Sequence, residues 1–459
     1  MITYLEKHFS RIWFMVFSID FLILLFTAAI ALKIINRISS FYIVDLRYIH
    51  LIISFPLISQ VALFINELYI TEKRYSIKSL VVKCIVSFII ASMGCYILFI
   101  NRLSYFNCFL LSMVACGLIL SWRFLFYRAV GKVNIQDKIL FLGINELSKM
   151  VVKEVLADDY PKFKIIGFIS NDPALVGKNI GIPKVLGLVK DLNYITEKEK
   201  IKKVIVSWPQ GIEKFPAEYL INCKFKGVEI LDIHTFYEHL KGKILLNGLR
   251  PAWLIFTDGF TKNKLIELRK RIIDIVFSFI GLLVTSPISI ITALLIKLES
   301  EGPIIYRQER VGENGRIFTL FKFRSMKIDA EEHTGPVWAD KNDQRTTRIG
   351  KFIRKVRIDE IPQIFNVLKG DMSFIGPRPE RPFFVEKLKQ IIPYYDQRHS
   401  VKPGITGWAA VNYSYGANIE DAIEKLQYDF YYIKNMSLFL DSIIILKTLT
   451  TIFTHKGAR

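Results

Sequence analysis

An integral membrane protein that also carries α/β domains is predicted by three features of this 459-residue sequence. Half of its residues are hydrophobic (51%) and its mean hydropathy is +0.31, high for a soluble chain. Apolar runs long enough to cross a bilayer fill the first 130 residues and recur once near residue 270. Short β-rich runs alternating with helical ones occupy the stretch from about 136 to 250. Domains are therefore expected at 1–130, 131–255 and 256–459.

In the first region the apolar runs lie at about residues 12–36, 48–70, 80–100 and 104–127, each near the ~20 residues that a hydrocarbon core requires. Four transmembrane helices follow. The basic start does not mark a signal peptide, because the run behind it is too long and further spans follow, so it is expected to stay as an anchor. Lys7 and Arg11 precede the first run, Lys73, Arg74, Lys78 and Lys83 lie between the second and third, and Arg123, Arg128, Lys132 and Lys138 follow the fourth. The positive-inside rule then places the N-terminus and everything after residue 130 in the cytoplasm, although Arg37, Arg47 and Arg102 in the outer loops reduce the contrast. Asp20 and Glu67 are ionisable residues in or at the ends of these runs, which marks either a functional group or a snorkelling end.

Lys and Arg number 62 against 42 Asp and Glu, a formal charge of +20 that suits phosphates or an acidic lipid surface. Nucleic acid is not the expected partner: no zinc-finger spacing, RNP-type motif or basic zipper helix is present. Cys84, Cys95, Cys108, Cys116 and Cys223 form no CxxC pair, and four of them lie in apolar segments, so neither disulfides nor zinc are expected.

From about 136 to 250, "KILFLG" (138–143), "FKIIGFIS" (163–170), "KKVIVSW" (202–208) and "GVEILDI" (227–233) alternate with helical stretches, the pattern of a parallel, Rossmann-like α/β domain. The first strand ends in "GINELS". A dinucleotide fingerprint wants Gly at 143, 145 and 148, but the chain has Gly143, Asn145 and Ser148, so a degenerate structural or regulatory domain is expected there.

The third region opens with an apolar run, residues 272–296, interrupted by Ser286 and Pro287. Arg269, Lys270 and Arg271 precede it; Lys297, Arg307, Arg310, Arg316, Lys322 and Arg324 follow it. Basic residues on both flanks favour a re-entrant helix, about 270–298, over a kinked fifth span, with Pro287 breaking it because proline lacks the backbone donor. The segment after it, dense in Arg, Lys, Gly and aromatic residues, suits paired guanidinium contacts to phosphate or a seat on anionic headgroups.

"RKVRIDEIPQIFNVLKG" then places Asp359 and Glu360 at the start of a helix, with Pro362 in its first turn and Gly370 at its end. Helix N-termini favour anions, and Arg354, Arg378 and Arg381 lie close in sequence. A carboxylate can accept a phosphoryl group as a nucleophile, and a neighbouring one can hold Mg²⁺. A helix-cap role for Asp359 stays open beside these.

From about Lys270 to Phe453 the chain resembles the bacterial sugar transferase family, the polyprenyl-phosphate glycosyl-1-phosphate transferases that begin assembly of lipid-linked glycans. The residues that carry the likeness are Ser286-Pro287, "GPIIYRQERVGENGRIFTLFKFRSM", "RIDEIPQIFNVLKGDMSFIGPRPE" and "VKPGITGWAAVNYSYG", in that order. The upstream regions look like the long, polytopic branch. The resemblance implies a C-terminal catalytic domain at the bacterial cytoplasmic membrane, facing the cytoplasm. It implies transfer of a sugar-1-phosphate from a UDP-sugar to undecaprenyl phosphate, with release of UMP, in exopolysaccharide, capsule or O-antigen assembly. Asp359 matches the nucleophile that forms a phosphosugar-aspartyl intermediate, and Glu360 matches its partner in Mg²⁺ binding. Arg354 and Arg378 match cations near substrate phosphate, Lys322 and Arg324 match substrate or headgroup contacts, and Ser286 and Pro287 match the turn-back of the membrane helix. The size of that branch also allows a homodimer. "AAVNYSYGAN" departs from the family pattern in a loop that bears on sugar choice, so no sugar is assigned.

Two readings of other classes stand beside this one: a membrane-anchored, nucleotide-sensing scaffold of a polysaccharide assembly complex, and a transporter, which few ionisable residues and no inverted repeat support. Residues 440–453 are too short to span and suit a buried core helix over an interfacial one.

Overall fold

The computed structural model describes residues 11–38, 49–66, 68–69, 77–98, 105–130, 136–157, 163–178, 183–208, 215–261, 263–327, 345–413, 416 and 418–454. The chain divides into two compact units, Met1–Leu240 and Lys241–Arg459.

The first unit begins with four apolar helices, α1 (Arg11–Ile38), α2 (Ile49–Ile65), α3 (Ile77–Leu98) and α4 (Tyr105–Val130). Three of them are long and apolar enough to cross a membrane, while α2 is a shorter apolar helix of 17 residues. Leu24, Leu51, Phe55, Cys84, Cys95 and Ile119 pack at their centre. Asp20 and Arg123 are fully buried there: Arg123 Nη2 lies 2.5 Å from Asp20 Oδ2, and Nη1 donates to Leu68 O at 2.6 Å. Arg123, read from sequence as a cytoplasmic charge, is thus spent inside the bundle, because a buried carboxylate needs a counter-charge where water is absent. Glu67, Lys7, Lys73, Arg74, Arg47, Arg102 and Lys132 lie outside the described residues.

Five parallel strands follow: β1 (Asp137–Leu142), β2 (Phe163–Ser170), β3 (Val185–Leu188), β4 (Lys203–Val206) and β5 (Glu229–Asp232), in the order β3-β2-β1-β4-β5. Helices α5 (Glu146–Leu156), α6 (Leu192–Glu199), α7 (Ala217–Phe225) and α8 (Ile233–Lys241) connect them or follow them. Residues 139–142 are fully buried, as a central parallel strand requires. Strand order reverses between β1 and β4. There Gly143 has φ +99°, and an added Cβ would lie 2.2 Å from Ser207 O, so glycine alone fits. Asn145 Oδ1 accepts from Ser148 N at 2.8 Å and from Ser207 Oγ at 3.0 Å, while Asn145 Nδ2 donates to Ser207 O at 3.1 Å.

The second unit contains α9 (Pro251–Phe256), the 36-residue α10 (Lys264–Glu299), the hairpin of β6 (Ile305–Val311) and β7 (Ile317–Phe323), α11 (Arg348–Lys355), α12 (Gln363–Lys369), β8 (Ser373–Ile375), α13 (Pro382–Ile391), β9 (Gly404–Thr406), α14 (Trp408–Asn412), α15 (Ile419–Lys434) and α16 (Leu438–Thr454). The helix break expected at Pro287 does not occur; α10 runs through it. The reason is local. Proline leaves the carbonyl of Leu283 without its usual donor, and the Ser286 hydroxyl donates to that oxygen at 2.9 Å.

Each end of α10 is fastened to this unit. Arg271, in its second turn, donates to Val367 O and Leu368 O at 2.6 Å each, capping the C-terminus of α12. Glu299, at its far end, accepts from Arg348 N at 2.7 Å and Ile349 N at 3.1 Å, capping the N-terminus of α11. Leu440 and Ile444 of α16 are fully buried with Phe430 and Tyr432, so this segment is a core helix.

Candidate active site

Asp359 and Glu360 lie in a single 3₁₀ turn, Ile358–Glu360, that leads into α12. Arg357 enters that turn in the left-handed region, φ 59°. The N-cap of α12 is Pro362, which offers no side-chain cap, and no helix N–H donates to the Asp359 carboxylate among the described residues. The cap reading of Asp359 therefore falls away.

Three cations converge on Glu360. Arg378 Nη2 donates to Oε1 at 2.7 Å, Lys322 Nζ donates to the same oxygen at 3.3 Å, and Arg357 Nη1 stands 3.9 Å from Oε2. Lys322 comes from β7, which the hairpin turn at Glu313–Gly315 folds back against β6. Arg378 comes from the loop after β8, and that loop is held by three successive carbonyls. Arg378 O accepts from Arg398 Nη2 at 3.0 Å, Pro379 O from Arg310 Nη1 at 2.9 Å, and Glu380 O from Val311 N at 2.9 Å. Arg398 is itself buried and paired with Asp429 at 2.9 Å.

The two neighbouring carboxyls have opposite protonation behaviour. Burial would push Glu360 up, but Arg378 and Lys322, aided by Arg357, outweigh it and hold the carboxyl well below the usual carboxylate range. Asp359 is pushed up, first by burial and then by the negative charge of Glu360; Lys322, Arg354 and Arg378 oppose this without cancelling it. The ionised form of Glu360 is thus the favoured one, held by its hydrogen bonds from Arg378 and Lys322. Asp359, only 8% exposed and less stabilised as an anion, is the more nucleophilic of the two once ionised.

Of the residues singled out in the sequence, Lys322 and Arg378 meet the dyad and Arg354 acts on Asp359 through its charge. Arg324 does not join them. Its guanidinium donates to Ser300 O at 2.8 Å and Glu301 O at 2.5 Å, closing the C-terminal end of α10. Arg357 is a residue that sequence reasoning misses, although its position three residues before Glu360 on a turning segment is a signal the sequence holds. The described residues contain no cluster of three or more His, Cys, Asp or Glu. A Mg²⁺ held by one carboxylate and substrate phosphate oxygens fits Asp359; Glu360 fits less well, because its Oε1 already accepts from two cations.

The family model for the bacterial sugar transferase matches residues 265–455. The UDP-N-acetylgalactosamine-undecaprenyl-phosphate N-acetylgalactosaminephosphotransferase of Aeromonas hydrophila is 45% identical over 241 residues, which is 52% of this chain and 56% of that protein. The UDP-glucose:undecaprenyl-phosphate glucose-1-phosphate transferase of Xanthomonas campestris pv. campestris is 31% identical over 355 residues, 76% of this chain and 73% of that protein. Its namesake in Escherichia coli (strain K12) is 42% identical over 215 residues, 46% of each chain. The matched stretch thus spans about half the length of the Aeromonas and Escherichia proteins. The chain belongs to the bacterial sugar transferase family.

Proposed function

We propose that this protein is a phosphotransferase of the cytoplasmic membrane that moves a sugar-1-phosphate from a UDP-sugar to undecaprenyl phosphate. The observation that carries this is the buried acidic pair with its cations: Glu360 bonded to Lys322 and Arg378, with the buried Asp359 beside it. An oxygen of Asp359 attacks the sugar-bearing phosphorus, the bond from that phosphorus to the UMP oxygen breaks, and its electron pair leaves with UMP. A phosphate oxygen of the lipid then attacks the phosphosugar-aspartyl group, the P–O bond to Asp359 breaks, and the carboxylate is restored. Lys322 and Arg378 lie where they can pair with the pyrophosphate while it is bound. A magnesium ion held by Asp359 and the diphosphate would neutralise charge on the phosphate oxygens.

Placement of both ends of α10 on the cytoplasmic side belongs to the same reading. A straight helix of 36 residues is about 54 Å long, against ~30 Å of hydrocarbon, yet Arg271 and Glu299 near its two ends both bind the same folded unit. One unit cannot sit on both faces of a bilayer. The dyad then lies at the interface, where a soluble donor and a lipid acceptor both reach it.

The scaffold alternative, with a nucleotide in a Rossmann-like first unit, has less support. At the strand-order reversal the N–H of Ser148 is already taken by Asn145, whose side chain also fastens to Ser207. The test is UMP release from a panel of UDP-sugars by the purified protein with Mg²⁺, with and without undecaprenyl phosphate, beside Asp359→Asn. Turnover lost in the variant supports the proposal. Turnover surviving in Asp359→Asn, or none from any donor in a folded wild type, overturns it.

A further inference from the structure

We infer that Asn366 is a positioning residue that sets Lys322 against Glu360, a role resting on the function proposed above. Asn366 is fully buried on α12, the helix that begins three residues after Glu360. Its side chain reaches across to β7, the strand that carries Lys322. Oδ1 accepts from Phe321 N at 3.0 Å, and Nδ2 donates to Thr319 O at 2.7 Å. The partner strand β6 pairs along the other edge of β7, with Tyr306 opposite Lys322.

The primary amide presents a C=O and an N–H side by side in one plane, as a peptide group does. Asn366 therefore stands in for one residue of a third strand, satisfying an acceptor and a donor on the outer edge of β7 at once. Apolar contacts from Val367 and Met372 to Phe318 and Leu320 also hold helix to strand. Such contacts are non-directional and tolerate sliding along the strand axis; two directional hydrogen bonds do not. Register matters here because a one-residue slip turns every strand side chain to the opposite face, which would carry Lys322 away from its 3.3 Å contact with Glu360. The same residue fastens the far end of its helix, since its main-chain oxygen accepts from Gly370 N at 3.1 Å and Asp371 N at 3.0 Å. Asn366 touches neither the dyad nor Lys322 directly, so its effect passes through the strand.

The discriminating experiment is a double-mutant cycle between Asn366→Ala and Lys322→Ala in the full-length protein, read as kcat/KM for UMP release, with hydrogen exchange at Phe321 measured alongside. Asn366→Asp, which keeps the size and the acceptor but loses the donor to Thr319 at neutral pH, runs through the same cycle and guards against an Ala variant that does not fold. The expected result is a loss of roughly tenfold from Asn366→Ala alone, little further loss on top of Lys322→Ala, and faster exchange at Phe321. Equal losses in both backgrounds, or near-wild-type turnover with Phe321 still protected, would overturn the inference. A wild type without turnover would instead sink the proposed function, and the exchange data would still decide whether Asn366 holds the strand.

Discussion

Replacing Arg378 with alanine tests the centre of the site in two currencies at once. The perturbation removes the 2.7 Å bond to Glu360 Oε1 and leaves Lys322 at 3.3 Å and Arg357 at 3.9 Å on a carboxylate that stays mostly buried. A charge-assisted hydrogen bond contributes about 1.5–3 kcal/mol, and the partial exposure of Arg378 with two remaining cations reduces this to about 1–2 kcal/mol. For a unit of this size that corresponds to a fall of roughly 2–8 °C in the midpoint of thermal unfolding. The sign of the pH dependence follows from Glu360, whose carboxyl is held below its ordinary value in the folded state. Stability from such a group is present above the unfolded pKa, about 4.3, and is lost as pH falls through the folded value. Wild type and Arg378→Ala should therefore keep their difference from neutral pH down to the ordinary carboxylate range and converge only below it, as Glu360 takes up its proton in the folded state. Turnover should fall by about a hundredfold, the scale for loss of one pre-organised group facing transition-state charge. Thermal scans in nanodiscs from neutral pH down to well below the ordinary carboxylate range, paired with UMP release at neutral pH, measure both. Equal midpoints together with kcat/KM within threefold of wild type would refute the reasoning.

Three further outcomes are expected. Asp359→Asn should abolish turnover yet unfold at a higher temperature at pH 8, because the ionised carboxylate that it removes is disfavoured by burial; for the same reason the acidic limb of the kcat/KM profile of the wild type should lie above the usual carboxylate range. Ser286→Ala should cost about 1 kcal/mol by leaving Leu283 O unsatisfied, and the cost should vanish in a Pro287→Ala background, where the restored N–H can serve that oxygen; unfolding of the four proteins reads this directly. Arg123→Gln should destabilise the N-terminal helices by about 3–5 kcal/mol, since it leaves Asp20 buried without its counter-charge, and the yield of folded protein in a detergent screen would register it.

Elements with strong periodicity are legible in the sequence itself. Residues 163–170 form β2 with the boundaries that the sequence pattern suggests, and Gly370, with φ 96°, ends α12 where a helix stop is expected. Strand β3, four residues long, carries no comparable signal. The acidic pair is legible as chemistry, because Asp359 and Glu360 stand among phosphate-seeking cations in the chain itself. Their difference is not: two adjacent carboxylates look alike in one dimension, and only the fold brings Lys322 from β7 and Arg378 from a distant loop onto Glu360, favouring its ionised form, while it buries Asp359 and so favours its neutral form. Arg324 and Lys322 are two residues apart and equally basic, yet one closes a helix end and the other reaches the dyad.

Features that depend on neighbours along the chain can be read in one dimension: apolar runs of membrane length, a strand–helix alternation, turn residues, and a local density of charge. The long-range partner that each polar group takes is selected in three dimensions. Asp20 finds Arg123 from 103 residues away and Asn366 finds the edge of β7 from 45. Buried polar groups must be paired, but many pairings satisfy that demand on paper, and the packing of the surrounding helices and strands selects one.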